Sequence, residues 1–115
     1  MSRRRLVRAL DLIDDAQLIA EYRRWHRPGA VWPEVIAHIR ATGVLEMEIW
    51  NVGNRLFMLL EVTEDFPREA DEPARVAEWE HLMSTFQRPI RGATPDQKWI
   101  ELSRIFTLDE AAARK

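Results

Sequence analysis

The sequence predicts an α+β domain in which strands and helical regions follow one another in the order β-α-β-β-α-β. Three observations predict it. Apolar residues recur at helical spacing in two segments, four other segments have the composition of strands, and Gly, Pro, Asn and Asp residues separate them. This order is the split βαβ arrangement of ferredoxin-like folds, an antiparallel sheet with helices on one face. At 115 residues the chain is expected to form one domain, residues 1–115.

The first half of the chain supplies one strand and one interrupted helical region. Residues 5–13, RLVRALDLI, are mostly apolar and predict the first strand. A helix is expected to begin near Asp15, a natural N-cap, because apolar and aromatic residues then recur at helical spacing: Leu18, Ile19, Tyr22, Trp25 and His26. A Pro-Gly pair interrupts this helix, and a second helical piece is expected from Pro33 to a C-cap at Gly43.

The second half predicts a hairpin, a helix and a last strand. Residues 44–51 and 55–62 are strand-like and are joined by NVGN, whose Asn and Gly accept positive φ. Residues 63–73 indicate a loop, and a helix is expected from about Ala74 to Gln87. Residues 88–97 indicate another loop, residues 98–108 predict the final strand, and the tail is expected to be a short or frayed helix.

One predicted strand is apolar on both faces. Phe57 and Leu59 lie on one side of the third strand, and the residues that alternate with them on the other side, Leu56, Met58, Leu60 and Val62, are also apolar. A sheet with helices on one face only should alternate apolar and polar residues. We therefore expect a second copy of the chain to cover the free face, giving a homodimer with its sheets facing each other.

Composition narrows the classes of function. The formal net charge of −2 gives no reason to expect a nucleic-acid partner. The chain has no cysteine, which excludes disulfides, thiolate metal sites and Cys nucleophiles. No apolar run is long enough to predict a membrane span, and no secretory segment is recognisable, so the expected location is the cytoplasm.

The candidates for chemistry are Tyr22 and His26. The sequence has no Gly-rich phosphate loop, and no two of its three histidines share a helical turn, so the expectation is acid–base chemistry without a metal or cofactor. Tyr22 and His26 are four residues apart and so lie on one helix face. From the pattern alone, His26 is either a proton-transfer group or a hydrogen-bonded core residue. The five tryptophans are likewise either core residues or rings that stack on a sugar.

Four segments resemble the L-rhamnose mutarotase family, which includes relatives acting on L-fucose. They are EYRRWHRPGAVWPEV (21–35), MEIWNVGNRLFMLLEV (47–62), EWEHLM (78–83) and IFTL (105–108). The resemblance extends from about residue 7 to residue 108, and the second and third segments are closer to the fucose-type relatives. It implies a ferredoxin-like fold, a dimer formed through the sheets, and interconversion of the α and β anomers of a 6-deoxy-L-sugar without a cofactor.

The resemblance also implies roles for individual residues. The family's pocket Tyr and His match Tyr22 and His26, which implies that His26 is the main acid/base and that Tyr22 binds the sugar or shares the proton transfer. The first of two adjacent helix tryptophans matches Trp79, which would stack on the sugar.

Three positions depart from the family pattern. Glu80 replaces the second helix tryptophan, where it could accept a hydrogen bond from a sugar hydroxyl, and Met47 replaces a strand aromatic, with Trp50 close by. The loop HRPGAVW, which carries Trp32, is longer than its counterpart. These residues are expected to line the substrate pocket.

Two other classes of function remain open from the sequence. One is a dimeric sugar-binding module without catalysis, and the other is a cofactor-free dimeric α+β barrel enzyme of another kind, such as a small oxygenase acting on an aromatic substrate.

Overall fold

The computed structural model describes residues 3–94 and 98–113. The elements in chain order are β1 (Arg3–Leu12), α1 (Ala16–Trp25), α2 (Pro33–Ala41), β2 (Val44–Val52), β3 (Arg55–Thr63), α3 (Ala74–Ser84), β4 (Gln87–Arg88), β5 (Ile100–Glu101) and α4 (Leu108–Ala113). The predicted α+β class and the order of its strands and helices are confirmed.

The sheet is antiparallel, with strand order β2-β3-β1-β4, and β5 also pairs with β1. The register joins Arg3 of β1 to Thr63 of β3 at one end and Asp11 to Arg55 at the other. β2 and β3 form the predicted hairpin, with Val52 opposite Arg55 and a register shift between Val44 and Glu46. The two central strands of this order are β3 and β1, as a ferredoxin-like fold requires.

The prediction of one long final strand over residues 98–108 is wrong. The outer edge of β1 is occupied by two short pieces, β4 opposite Asp11 and Leu12, and β5 opposite Arg8 and Ala9. After Leu102, whose N–H donates to the Val7 carbonyl over 2.8 Å, the chain leaves the sheet. A strand-like composition indicates side chains that pack well on a half-buried sheet surface. It does not ensure that the backbone finds a neighbouring strand to pair with. Residues 95–97 of the preceding predicted loop lie outside the described residues.

Local signals set the ends of the helices. The Asp15 side chain accepts a hydrogen bond from the Leu18 N–H over 3.0 Å and so caps α1. Pro33 occupies the first turn of α2, where its missing N–H is not needed. Gly43 follows α2 with a φ of 110°, a left-handed conformation that favours glycine. α3 ends at Ser84, three residues before the predicted end, and Gln87 pairs with Leu12 in the sheet instead.

The core lies between the helices and one face of the sheet, here called the inner face. Its most deeply buried side chains come from β1 and β3: Leu10, Leu12, Leu56, Leu60 and Val62. Tyr22 of α1, Val35 of α2 and Trp79 of α3 pack against the same core, so the three helices cover one side of the sheet. Among the described residues, no helix combines the length and the apolar character that a membrane span needs.

Candidate active site

A cavity of about 500 Å³ lies between the helices and the inner face of the sheet. Its volume falls in the range of small-molecule sites. β2 and β3 contribute Met47, Ile49 and Met58, while α1 and α3 contribute Tyr22, His26 and Trp79. The cavity therefore combines a sheet wall that is mostly apolar with a helix wall that carries Tyr22 and His26.

His26 is the C-cap residue of α1, and its ring is fixed by the helix itself. Its Nδ1 lies 2.7 Å from the Tyr22 carbonyl oxygen, and because a carbonyl only accepts, Nδ1 carries the proton. Nε2 is then the free acceptor of a neutral ring that lines the cavity. Burial lowers the pKa of His26 below its usual 6.5, and the hydrogen bond to the Tyr22 carbonyl opposes that shift only in part. The imidazole is therefore neutral at pH 7.

Tyr22 is held in the core while it lines the cavity. Its side chain is 3% exposed. Its ring lies 4.3 Å from the His26 ring and 5.9 Å, edge-on, from the Phe86 ring, both measured between centroids. Burial raises the pKa of Tyr22 to about 12, with a further contribution from the negative charge of Glu80, while the nearby Gln87 side chain acts in the opposite direction. The hydroxyl is therefore protonated near neutral pH and is available as a hydrogen-bond donor.

An aromatic cluster supports the helix wall of the cavity. The Trp79 ring lies edge-on to the rings of Trp25, Trp32 and His26, with centroids 6.0, 5.2 and 5.8 Å apart. The Arg75 guanidinium lies 3.6 Å from the centroid of the Trp32 ring. These contacts hold Trp79, which is 5% exposed, in a fixed orientation beside His26.

The structure separates the expected site residues into two groups. Tyr22, His26, Trp79, Met47 and Glu80 line one cavity. The remaining two, Trp32 and Trp50, do not line it. Trp32 packs behind Trp79, and between His26 and Trp32 only Val31 reaches the cavity wall.

Trp50 lies on the opposite face of the sheet, which corrects its expected place beside Met47. Side chains alternate between faces along a strand, so a residue an odd number of positions from Met47 points the other way. Trp50 pairs with Phe57 of β3, is 60% exposed, and donates from Nε1 to Glu48 over 3.0 Å.

Several lining residues were not predicted as part of the site, among them Arg8, Arg40, Glu46 and Gln87, while Trp99, considered with the other tryptophans, does line the cavity. Arg8 carried a usable signal, because it is a charged residue between Leu6 and Leu10 on the alternating face of β1 that packs against the core. No such signal marked Gln87, because it was predicted to be the last residue of the helix that begins near Ala74. Its Oε1 is buried without a hydrogen-bond partner in the described part of the chain. Within residues 3–94 and 98–113, no three His, Cys, Asp or Glu side chains are grouped as metal ligands.

Comparison with known proteins assigns the chain to a family. The family model described as L-rhamnose mutarotase matches residues 5–108. The chain belongs to the L-rhamnose mutarotase family. It is therefore an isomerase of the mutarotase type, and the resemblance carried by the four sequence segments is confirmed.

Two of the similar proteins carry a sugar in their names, and the two sugars differ. An L-fucose mutarotase of Xanthomonas campestris pv. campestris is 49% identical over 119 positions, covering 98% of this chain and 94% of that protein. A UPF0734 protein of Dictyostelium discoideum is 33% identical over 110 positions, covering 88% and 86% of the two chains. The crystal structure of an L-rhamnose mutarotase from Formosa agariphila superposes with a TM-score of 0.61 at 21% identity, covering 91% of this chain and 98% of that one. This last likeness supports the α+β barrel fold.

Proposed function

We propose that this mutarotase interconverts the α and β anomers of a 6-deoxy-L-sugar by acid–base catalysis that needs no cofactor. The observation that carries the proposal is the pair of neutral groups on one helix face. Nε2 of His26 is a free proton acceptor, and the Tyr22 hydroxyl beside it is a protonated donor. Ring opening needs one group of each kind.

The chemistry moves one proton onto the sugar and one off it. His26 Nε2 removes the proton of the anomeric hydroxyl while the Tyr22 hydroxyl protonates the ring oxygen, and the C1–O5 bond breaks to leave an open-chain aldehyde. After rotation about C1–C2, the C5 hydroxyl attacks the other face of the aldehyde carbon. The C5 hydroxyl gives its proton to the Tyr22 oxygen, and the proton on His26 Nε2 passes to the former aldehyde oxygen, which becomes the new anomeric hydroxyl. Both side chains therefore end in the protonation states in which they began.

The environment of His26 suits a base that works at neutral pH. Its lowered pKa keeps the ring neutral, and the hydrogen bond from Nδ1 to the Tyr22 carbonyl holds Nε2 as the accepting nitrogen. When Nε2 takes a proton, the same carbonyl stabilises the imidazolium. Each positioned group of this kind contributes about 10²–10⁴-fold to a rate.

The walls of the cavity suit a deoxy sugar. Met47 and Met58 offer an apolar surface to a methyl group and to the C–H face of the ring, and Trp79 offers an aromatic one. The Glu80 carboxylate, 3.8 Å from the Lys98 ammonium, is available to accept from a hydroxyl. We propose L-fucose as the better substrate and L-rhamnose as the poorer one, because the 49% identical relative carries the name L-fucose mutarotase.

His26→Ala tests the catalytic assignment. Its expected result is loss of saturation transfer between the two anomers of L-fucose by NMR, while His81→Ala, an exposed residue of α3, leaves the transfer unchanged. Unchanged exchange in His26→Ala with retained folding would reject His26 as the base. Exchange that survives dialysis of the wild type against a chelator supports cofactor-free chemistry, and its loss would contradict it.

We also propose that the chain forms a homodimer through the outer face of its sheet. Support comes from apolar side chains that one chain leaves uncovered there, with Trp50 60% and Val52 67% exposed. Outside the sheet, the segment after β5 also leaves apolar side chains uncovered, with Ile105 95% and Phe106 66% exposed. Sedimentation velocity at micromolar concentration is expected to give a dimer, and Trp50→Glu to shift it toward the monomer. A monomeric wild type would contradict this proposal.

A further inference from the structure

Arg8 places a guanidinium inside the cavity that holds Tyr22 and His26. It lies in the middle of β1 on the inner face, and its side chain is half-buried. Its guanidinium carbon lies 5.8 Å from the centroid of the Phe66 ring, close enough for a cation–π contact. The side chain is therefore anchored in the wall of the cavity by a strand and by the Phe66 ring, which also lines it.

This cation forms no salt bridge in the described part of the chain, although Glu101 lies opposite it on β5. Arg3 pairs with Glu61 and Arg55 with Asp11, but no described carboxylate lies within salt-bridge distance of Arg8. Arginine is rarely withdrawn from water unless its donors are satisfied. A half-buried guanidinium facing a cavity thus points to a ligand that supplies acceptor oxygens.

The charges around the cavity favour a neutral ligand over an anion. Two arginines, Arg8 and Arg40, and two glutamates, Glu46 and Glu80, line it, so their formal charges cancel. A guanidinium presents parallel N–H groups in a fixed fork, which matches two neighbouring oxygens. Vicinal hydroxyls of a sugar present such a pair without a charge.

We propose that Arg8 is a sugar-binding residue that donates two N–H groups to a vicinal pair of hydroxyls while the anomeric carbon lies at His26. The inference rests on the proposed function in that it takes a sugar as the occupant of the cavity. L-Fucose has a cis pair at C3 and C4, and L-rhamnose has one at C2 and C3. The pair that Arg8 binds therefore affects how the protein discriminates the two sugars.

Arg8→Met tests the inference, because it keeps the apolar stem beside Phe66 and removes the fork. The dissociation constant for L-fucose, from an NMR titration, is expected to rise about 10- to 100-fold through loss of two charge-assisted hydrogen bonds. Arg8→Lys keeps the positive charge but not the forked N–H groups, so its dissociation constant for L-fucose is expected to lie between those of the wild type and of Arg8→Met. Arg4→Met is the matched control. Arg4 is exposed on the same strand, donates to the Phe66 carbonyl over 2.6 Å and does not line the cavity, so binding should stay within about twofold.

Deoxy analogues separate direct contact from a structural effect. Wild-type protein should bind L-fucose analogues that lack either bound hydroxyl more weakly than it binds L-fucose. Arg8→Met should bind those analogues almost as well as it binds L-fucose, because the contact to the hydroxyls is already lost. An Arg8→Met loss that is equal for L-fucose and for its 2-, 3- and 4-deoxy analogues would overturn the inference, as would unchanged affinity. Arg8-dependent binding without faster anomer exchange would uphold the inference and reject the proposed catalysis. Fast anomer exchange together with binding that does not depend on Arg8 would support the proposed catalysis and overturn the inference about Arg8.

Discussion

Tyr22→Phe removes one oxygen atom from the site and leaves the surrounding packing in place. The ring contacts with His26 and Phe86, at centroid distances of 4.3 and 5.9 Å, are kept, and the hydroxyl loses its hydrogen bond with the Gln87 side chain. The free energy of unfolding should therefore fall by about 1 kcal/mol in urea denaturation, the usual net contribution of one hydrogen bond. If the hydroxyl protonates the ring oxygen, the exchange rate at saturating sugar should fall about 10²-fold or more, which is about 2.7 kcal/mol of transition-state stabilisation.

A second substitution at the same position separates packing from chemistry. Tyr22→Leu loses both aromatic contacts, each worth about 0.5–1.5 kcal/mol, and should be destabilised by at least about 1–3 kcal/mol. Anomer exchange is measured by saturation transfer, and stability by urea denaturation of the same samples. Exchange in Tyr22→Phe within about threefold of wild type would refute the role of Tyr22 as the acid, and His26 would then have to handle both protons.

The remaining predictions concern pH and backbone conformation. Because burial lowers the pKa of His26 below 6.5, the exchange rate should be flat from pH 6.5 to about 9 and fall tenfold per pH unit only below that lowered pKa. A fall in the exchange rate whose midpoint lies above pH 6.5 would contradict this prediction. The unfolded state takes up the His26 proton first, so the free energy of unfolding should fall as pH drops through 6.5 toward the folded pKa, and this component should vanish in His26→Gln. Gly43→Ala places a Cβ 2.6 Å from Thr63 Oγ1 at a φ of 110° and should cost about 1–3 kcal/mol in urea. Gly29→Ala has the same left-handed strain, at a φ of 84°, but its Cβ meets nothing within 4 Å, so it should cost less, and the difference reports the contact with Thr63. Asp15→Ala should cost about 1 kcal/mol through loss of the α1 cap, and an unchanged midpoint would refute that role.

Local chemistry explains which parts of the fold were predictable. The cap at Asp15, the proline that begins α2 and the glycine that ends it each act within a few residues, so their signals are visible in the sequence. The split of the fourth strand was not visible, because pairing depends on which part of the β1 edge is free. Residues 103–107 have the composition of a strand and pair with no described strand.

The site was partly predictable for the same reason. Tyr22 and His26 are four residues apart on one helix, so a local rule brings them together. Trp50 and Met47 are also close in sequence, but the alternation of the strand places them on opposite faces. Arg8 and Gln87 reach the cavity through sheet pairing with distant segments, which no local pattern encodes.

Anomer-exchange NMR with L-fucose and L-rhamnose side by side tests the central proposal most directly. With a small amount of wild-type protein, saturation of one anomer signal should transfer to the other well above the rate in buffer, and more strongly for L-fucose. The same amount of His26→Ala should leave both sugars at the buffer rate. Exchange at the buffer rate with the wild-type protein, for both sugars, would contradict the proposed activity.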